Sequence, residues 1–492
     1  MKNHLIGLLG IACLVCLNSC SEEFASANSA DGFYYDGEFA DQGGDTYNEI
    51  IENPFIEVAD ESTSTFSIDA DGGSYANCRR YLMQDATLPP VDAIRTEEFI
   101  NYFNLDYDYN DYSHPINLNG EVSECPWNAN NKLVRIGIKG QPLPEGDLPN
   151  SNFVFLIDIS GSMSSVDKLD LLKEGFINVL NEMDDQDRIA IVTYAGSAGI
   201  VLESTPVSNR GAIESAINSL GSGGSTAGAE GILTAYEIAR ENFIEGGNNR
   251  IIVGTDGDFN VGISSQEDLV TLIEENRDFG VYLTIIGVGR GNLREGQLEQ
   301  MANNGNGTYE YADSENQLTK IFINEYSKFF AVAKDVKVQV EFNSENIYAY
   351  RLIGYENRVL ENEDFEDDTK DAGEIGADQS ITAIYEVIPT NNIDFRSTES
   401  FTIDFRYKLI DSDNSIPLSL DIFDEGNRFD QASDHMQFTA AVASFGLVLR
   451  DSEYKGNADF DSILTWLDEA NLPDPYGYKS ELKDLISSAK SL

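Results

Sequence analysis

The chain has 492 residues, of which 85 are Asp or Glu and 32 are Lys or Arg, giving a formal net charge of -53. Such a polyanion repels phosphate backbones and anionic lipid headgroups, which argues against nucleic acid as a partner, although charge alone says little about fold. Only three histidines occur. Neither His114 nor His435 lies in a motif that suggests a general base or a metal ligand, no Gly-x-Ser-x-Gly elbow or phosphate-binding loop is present, and the chain reads as a binding protein, not an enzyme.

Lys2 precedes an apolar run from Leu5 to Leu17 that leads into Leu17-Asn18-Ser19-Cys20. The run is short of the roughly 20 apolar residues that a spanning helix needs, and no later stretch approaches that length. The pattern resembles the lipobox of bacterial lipoproteins, with an ordinary secretory signal as the alternative. That resemblance implies a signal peptide over residues 1–19, a lipid anchor on Cys20, and attachment to the bacterial outer membrane, since several acyl chains hold where one does not. Ser21-Glu22-Glu23 resembles the surface-export signal of Bacteroidetes lipoproteins, though an acidic linker has the same composition. Cys13 and Cys16 would leave with the leader, so Cys78 and Cys125 are the two thiols available for one disulfide in an oxidising compartment.

Residues 20–64, rich in Gly, Ser, Ala, Asn and acidic side chains, read as a flexible tether. A flanking region over 65–150 follows, with helical segments near Tyr75 to Met83 and Glu97 to Phe103 around the Pro89-Pro90 break. Val134-Arg135-Ile136-Gly137-Ile138 alternates like a strand with one wet face.

Residues 151–331 differ in pattern. Phe153-Val154-Phe155-Leu156-Ile157 is a buried-strand run that ends on Asp158-Ile159-Ser160-Gly161-Ser162. Lys168 to Met183 has helical apolar spacing, and Arg188 to Tyr194 reads as a strand. The glycine-rich Gly221-Ser222-Gly223-Gly224-Ser225-Thr226 precedes a helix over Ala229 to Asn242. Arg250-Ile251-Ile252-Val253-Gly254 is a second apolar run that stops on Thr255-Asp256-Gly257. Val281 to Val288 is a third, and Ser314 with Gln317 forms a capping-box pattern opening a helix toward Phe330. Helix and strand alternate, which predicts a doubly wound, mostly parallel sheet with Asp158 and Asp256 beyond the carboxyl ends of its strands, where ligands sit in such sheets.

Asp158, Ser160, Ser162, Thr226 and Asp256 together resemble the metal-ion-dependent adhesion site of von Willebrand factor type A domains: Asp-x-Ser-x-Ser, then a Thr, then an Asp. The resemblance implies that Ser160, Ser162 and Thr226 approach a divalent cation directly or through water. Asp158 and Asp256 would act largely through water. All are hard oxygen donors, suited to Mg2+, with Mn2+ or Ca2+ as alternatives. Mostly neutral inner ligands leave charge on the ion for a carboxylate supplied by a protein or glycan partner. The alternative is a type A fold whose site has lost the metal.

Val336 to Val340, Ile381 to Ile388 and Phe401 to Tyr407 alternate again, predicting a β-sandwich over 332–430 into which the type A domain is inserted, followed by a helical region over 431–492. Thr65 to Asp108 and the segments Lys334 to Phe342 and Tyr350 to Arg358 are similar to the flanking regions of one family of bacterial type A lipoproteins. The expected function is adhesion or partner binding from a lipid anchor. A metal-independent envelope scaffold is the alternative, and a hydrolase with an unrecognised site a third.

Overall fold

A computed structural model describes residues 44–492 apart from residues 69–70, 145, 147, 196–197, 224–228, 258–265, 371 and 392–395. The leader, Cys20 and the Ser21-Glu22-Glu23 tag therefore lie outside the described residues, and so does Thr226.

At the centre is a six-stranded sheet. In spatial order its strands are Tyr309–Ala312, Tyr282–Val288, Asn248–Thr255, Ser151–Asp158, Arg188–Tyr194 and Ala198–Pro206. The first five are parallel and the last is an antiparallel edge. The continuous apolar run of the Ser151–Asp158 strand follows from burial on both faces. Phe153, Phe155 and Ile157 enter one core with Leu172, Phe176 and Phe322, whereas Val154 and Leu156 enter the other with Ile232, Ala235 and Ile238. Phe155 stacks on Phe176 with ring centroids 4.2 Å apart. From Ser151–Asp158 the chain winds first to one side, then crosses to Asn248–Thr255 on the other. The carboxyl ends of these two neighbours thus bound the crevice that such a reversal opens.

Two antiparallel sheets form a sandwich beside it. One runs Ile56–Glu57, Ile347–Ile353, Ser380–Pro389, Lys132–Gly140, Ile116–Glu124. The other runs Val359–Leu360, Thr63–Ser67, Ala331–Phe342, Phe401–Lys408, Ser415–Ile422, with Gly373–Gly376 paired onto Ala331–Phe342. Each sheet joins chain from before the central sheet to chain from after it: Ile136 lies opposite Ala383, and Val338 opposite both Phe66 and Phe405. Val134, Ile136 and Ile138 share a single core with Val338, Val340, Phe342, Tyr385 and Phe405. The fold is an α/β type A domain flanked by a β-sandwich, with antiparallel strands from both sides closing around the insertion.

Three expectations are corrected. The wet face expected for the strands at 134–138 and 381–388 is covered. A helical layer built from Gly73–Arg79, Thr96–Asn101, Asp434–Leu449, Phe460–Glu469 and Tyr478–Ser491 packs there, sharing a core with Leu133, Ile353 and Ile384. Asp434–Leu449 is buried from Met436 to Leu447, as an all-round apolar helix requires. Only the other sheet keeps alternating exposure, along Phe401–Lys408 and Ser415–Ile422.

The tether ends earlier than residue 64. Thr46 donates its amide to the Leu293 carbonyl at 2.8 Å, Asp45 accepts from the Gly291 and Leu293 amides and pairs with Arg80, and Ile56–Glu57 and Thr63–Ser67 are sandwich strands. These attachments are largely main-chain hydrogen bonds, which composition does not reveal. Finally, Cys78 and Cys125 are free buried thiols in the helical core, with no disulfide between them. Burial pushes both thiols far up in pKa.

A candidate metal centre at two strand ends

Asp158 closes its strand fully buried, and its Oδ1 accepts the Ser160 amide at 2.7 Å. This short-range bond folds the chain back on itself, as Asp favours at turns. The turn is fixed from three sides: Ile159 donates to the Tyr194 carbonyl at 3.1 Å, Met163 donates to the Ser160 carbonyl at 3.1 Å, and the Met163 side chain is buried. Consequently the Ser160 and Ser162 hydroxyls lie 2.8 Å apart, with Ser160 buried and Ser162 exposed to solvent. The Gly223 amide donates to the Ile159 carbonyl at 2.8 Å, so the glycine-rich loop begins against this turn.

Asp256, also buried, follows the neighbouring strand. Its Oδ2 accepts from Lys168 Nζ at 2.8 Å and its Oδ1 from Asn292 Nδ2 at 3.4 Å. Gly257 next to it has φ +111, and a Cβ there would stand 2.3 Å from the Asn292 carbonyl oxygen, so only glycine fits. Tyr194 lies beside both arms, its buried phenol next to the charges of Asp158 and Asp256. Burial first, and then the charge of Asp158, push its phenol well above the usual range. Tyr194 therefore stays protonated and acts as a positioning group.

Four of the five residues expected from sequence thus stand at the ends of two adjacent parallel strands, and Thr226 lies outside the described residues. The buried carboxylates and the paired hydroxyls are all hard oxygen donors, which fits a divalent cation of the magnesium class. Among the described residues no group of three or more His, Cys, Asp or Glu side chains is placed to hold a metal ion, so a zinc site of that ligand type has no donor set there. Sequence reasoning missed Lys168, Tyr194 and Asn292. Lys168 reads as one more polar residue at the start of an amphipathic helix, and only the fold carries it to Asp256.

His114 and His435 lie in the sandwich and helical layers. His114 Nδ1 is 2.7 Å from the Tyr407 hydroxyl, and His435 packs on the Tyr107 ring.

Three family descriptions match the chain in succession. "von Willebrand factor" covers residues 41–135, "von Willebrand factor type A domain" 152–324, and "Uncharacterized protein YfbK, C-terminal" 327–492. The chain is 39% identical over 473 residues to Uncharacterized protein YfbK of Escherichia coli (strain K12), spanning 92% of this chain and 82% of that protein. It is 31% identical over 183 residues to inter-alpha-trypsin inhibitor heavy chain H3 of Homo sapiens, of which it spans 20%. Among solved structures, von Willebrand factor type A from Catenulispora acidiphila aligns over 77% of this chain and 90% of its own at 16% identity, with a TM-score of 0.41.

Proposed function

Because the chain belongs to the YfbK family of bacterial von Willebrand factor type A proteins, we propose that it is a binding protein whose type A domain grips an acidic group on a protein or glycan partner through a divalent cation. A type A domain indicates a protein-interaction or adhesion role. The finer reading is carried by one observation: two buried carboxylates and two hydroxyls stand at adjacent strand ends, with Ser162 open to solvent. Asp158, Ser160, Ser162, Thr226 and Asp256 would hold Mg2+, or alternatively Mn2+ or Ca2+. Once bound, the ion supplies a Lewis-acidic position for the partner's carboxylate. Asp158 orients Ser160 through its amide, Tyr194 keeps the two arms in register, and the exposed Ser162 sets the direction of approach.

Binding is favoured over catalysis by the placement of His114 and His435 against Tyr407 and Tyr107, away from the strand ends. A lipid anchor on Cys20, in the outer membrane and facing outward, belongs to the same proposal and rests on the leader pattern. No helix among the described residues is long and apolar enough to cross a membrane.

The second reading, a metal-independent scaffold, draws on the Lys168 ammonium, which already supplies a positive charge to Asp256. Calorimetric titration of Mg2+, Mn2+ and Ca2+ into the purified protein, beside Asp158→Ala/Ser160→Ala, separates the two. Heat and a rise in Tm that vanish in the double variant support the metal-dependent reading. Identical behaviour of both proteins, with acetate present to complete the coordination shell, favours the scaffold.

A further inference from the structure

Resting on that reading, the geometry points to Lys168 as a tethered counter-ion of the metal site: its ammonium occupies Asp256 and must leave for the divalent cation to enter. We infer that Lys168 sets the affinity of the site by competing for one of its arms.

The pair is built, not incidental. Lys168 Nζ stands 2.8 Å from Asp256 Oδ2, with side-chain exposures of 10% and 0%. The lysine stem reaches that point by crossing Gly289, which has φ +74, and a Cβ at 289 would lie 2.2 Å from Lys168 Cε. A glycine in a left-handed conformation under the stem is the only residue that leaves this path open. The other Asp256 oxygen meets Asn292, from the same loop as Gly289. Ammonium and divalent cation are both positive, and the Asp256 carboxylate, whether it meets the ion directly or through water, would hold the two cations close together. Like charges at such a distance repel strongly where water is excluded. Cation entry is therefore an exchange, in which the divalent ion arrives and the Lys168 ammonium swings outward past Gly289.

The test uses the whole protein and Mn2+ or Mg2+ as the probe. Lys168→Met removes the competitor and keeps the apolar stem, so its calorimetric Kd is expected to fall by roughly tenfold or more, the scale of a lost charge-assisted hydrogen bond. Lys168→Arg is expected to stay near the wild type. A second readout needs no substitution. Lys168 acylation by an amine-reactive label, followed by mass spectrometry, is expected to rise when Mg2+ is added and to stay low in Asp158→Ala/Ser160→Ala. If Lys168→Met binds the ion equally or more weakly, or if labelling of Lys168 is unchanged or falls on saturation with Mg2+, the lysine is a static support and the inference is wrong. Absence of any Mn2+ or Mg2+ binding to wild type and Lys168→Met alike would overturn the metal reading itself. Binding to the wild type without tightening in Lys168→Met overturns only the exchange.

Discussion

Arg351 and Glu386 face each other across neighbouring sandwich strands in direct register, with Nη2 and Oε2 3.2 Å apart and side chains 1% and 2% exposed. Glu386 also accepts from Trp127 Nε1 at 3.2 Å and from Asn131 Nδ2 at 2.6 Å, while the Arg351 guanidinium lies 4.1 Å from the Tyr454 ring centroid. One charge pair thus ties strands that follow the type A domain to a loop that precedes it. Removing one partner leaves the other buried and uncompensated, which costs about 3–5 kcal/mol. Arg351→Met and Glu386→Leu are each expected to lower stability by that order in denaturant unfolding. The double variant is expected to be less destabilised than the sum, and strict additivity would show that the pair does not couple.

Thiol chemistry checks the helical layer. Cys78 and Cys125 are free and buried, and burial raises both pKa values, so each thiolate is scarce at neutral pH. Both are expected to resist alkylation in the native protein and to label fully after denaturation without reductant. Added reductant should leave Tm unchanged. A mass shift that requires reduction first would demonstrate a disulfide.

Much of the central fold was legible because the physics is local. A strand buried on both faces must be apolar throughout, so Phe153 to Ile157 and Ile251 to Val253 announced themselves, and the residues just past them named the site. Ser314 caps its helix as its position suggests, accepting the Gln317 amide at 3.3 Å. The Gln317 side chain, however, serves Arg79 and Tyr102 instead of returning to the cap. What could not be read depends on partners far along the chain. Arg135 looks like a solvated outward residue, yet Asn119 and the Tyr107 ring cover it. Lys168 looks like helix surface, and its role exists only because Gly289 clears a path to Asp256.

Gly257 offers a backbone test of the same site. With φ +111 and the Asn292 carbonyl where a Cβ would go, Gly257→Ala must displace either the Asp256 turn or the Asn292 loop. Strain of this kind costs about 1–3 kcal/mol. The variant is expected to unfold earlier and to bind Mn2+ more weakly. Gly246→Ala is the control: its φ of +67 is also left-handed, but nothing lies within 4 Å of the added carbon. It is expected to lose roughly 1 kcal/mol and to leave Mn2+ affinity intact. Equal effects on Mn2+ binding would mean that the Asp256 turn does not shape the site.

His435 gives the protein a pH-dependent element away from the metal centre. Burial lowers its pKa below the ordinary histidine value, and Arg135 and Lys479 push the same way, while Asp106 and Glu121 oppose them. The Tyr107 ring covers one side, with centroids 4.8 Å apart. Because the folded pKa is depressed, the unfolded chain binds the proton more readily. The stabilising contribution is therefore fully present above the unfolded value of about 6.5 and is lost as pH falls through the folded value. Unfolding free energy is expected to decline from about pH 7 toward pH 5. His435→Gln should flatten that part of the profile relative to the wild type, leaving the carboxylate-driven loss at lower pH. A His435→Gln profile parallel to the wild type between those limits would show that the imidazole is equally easy to protonate in the folded and unfolded chains.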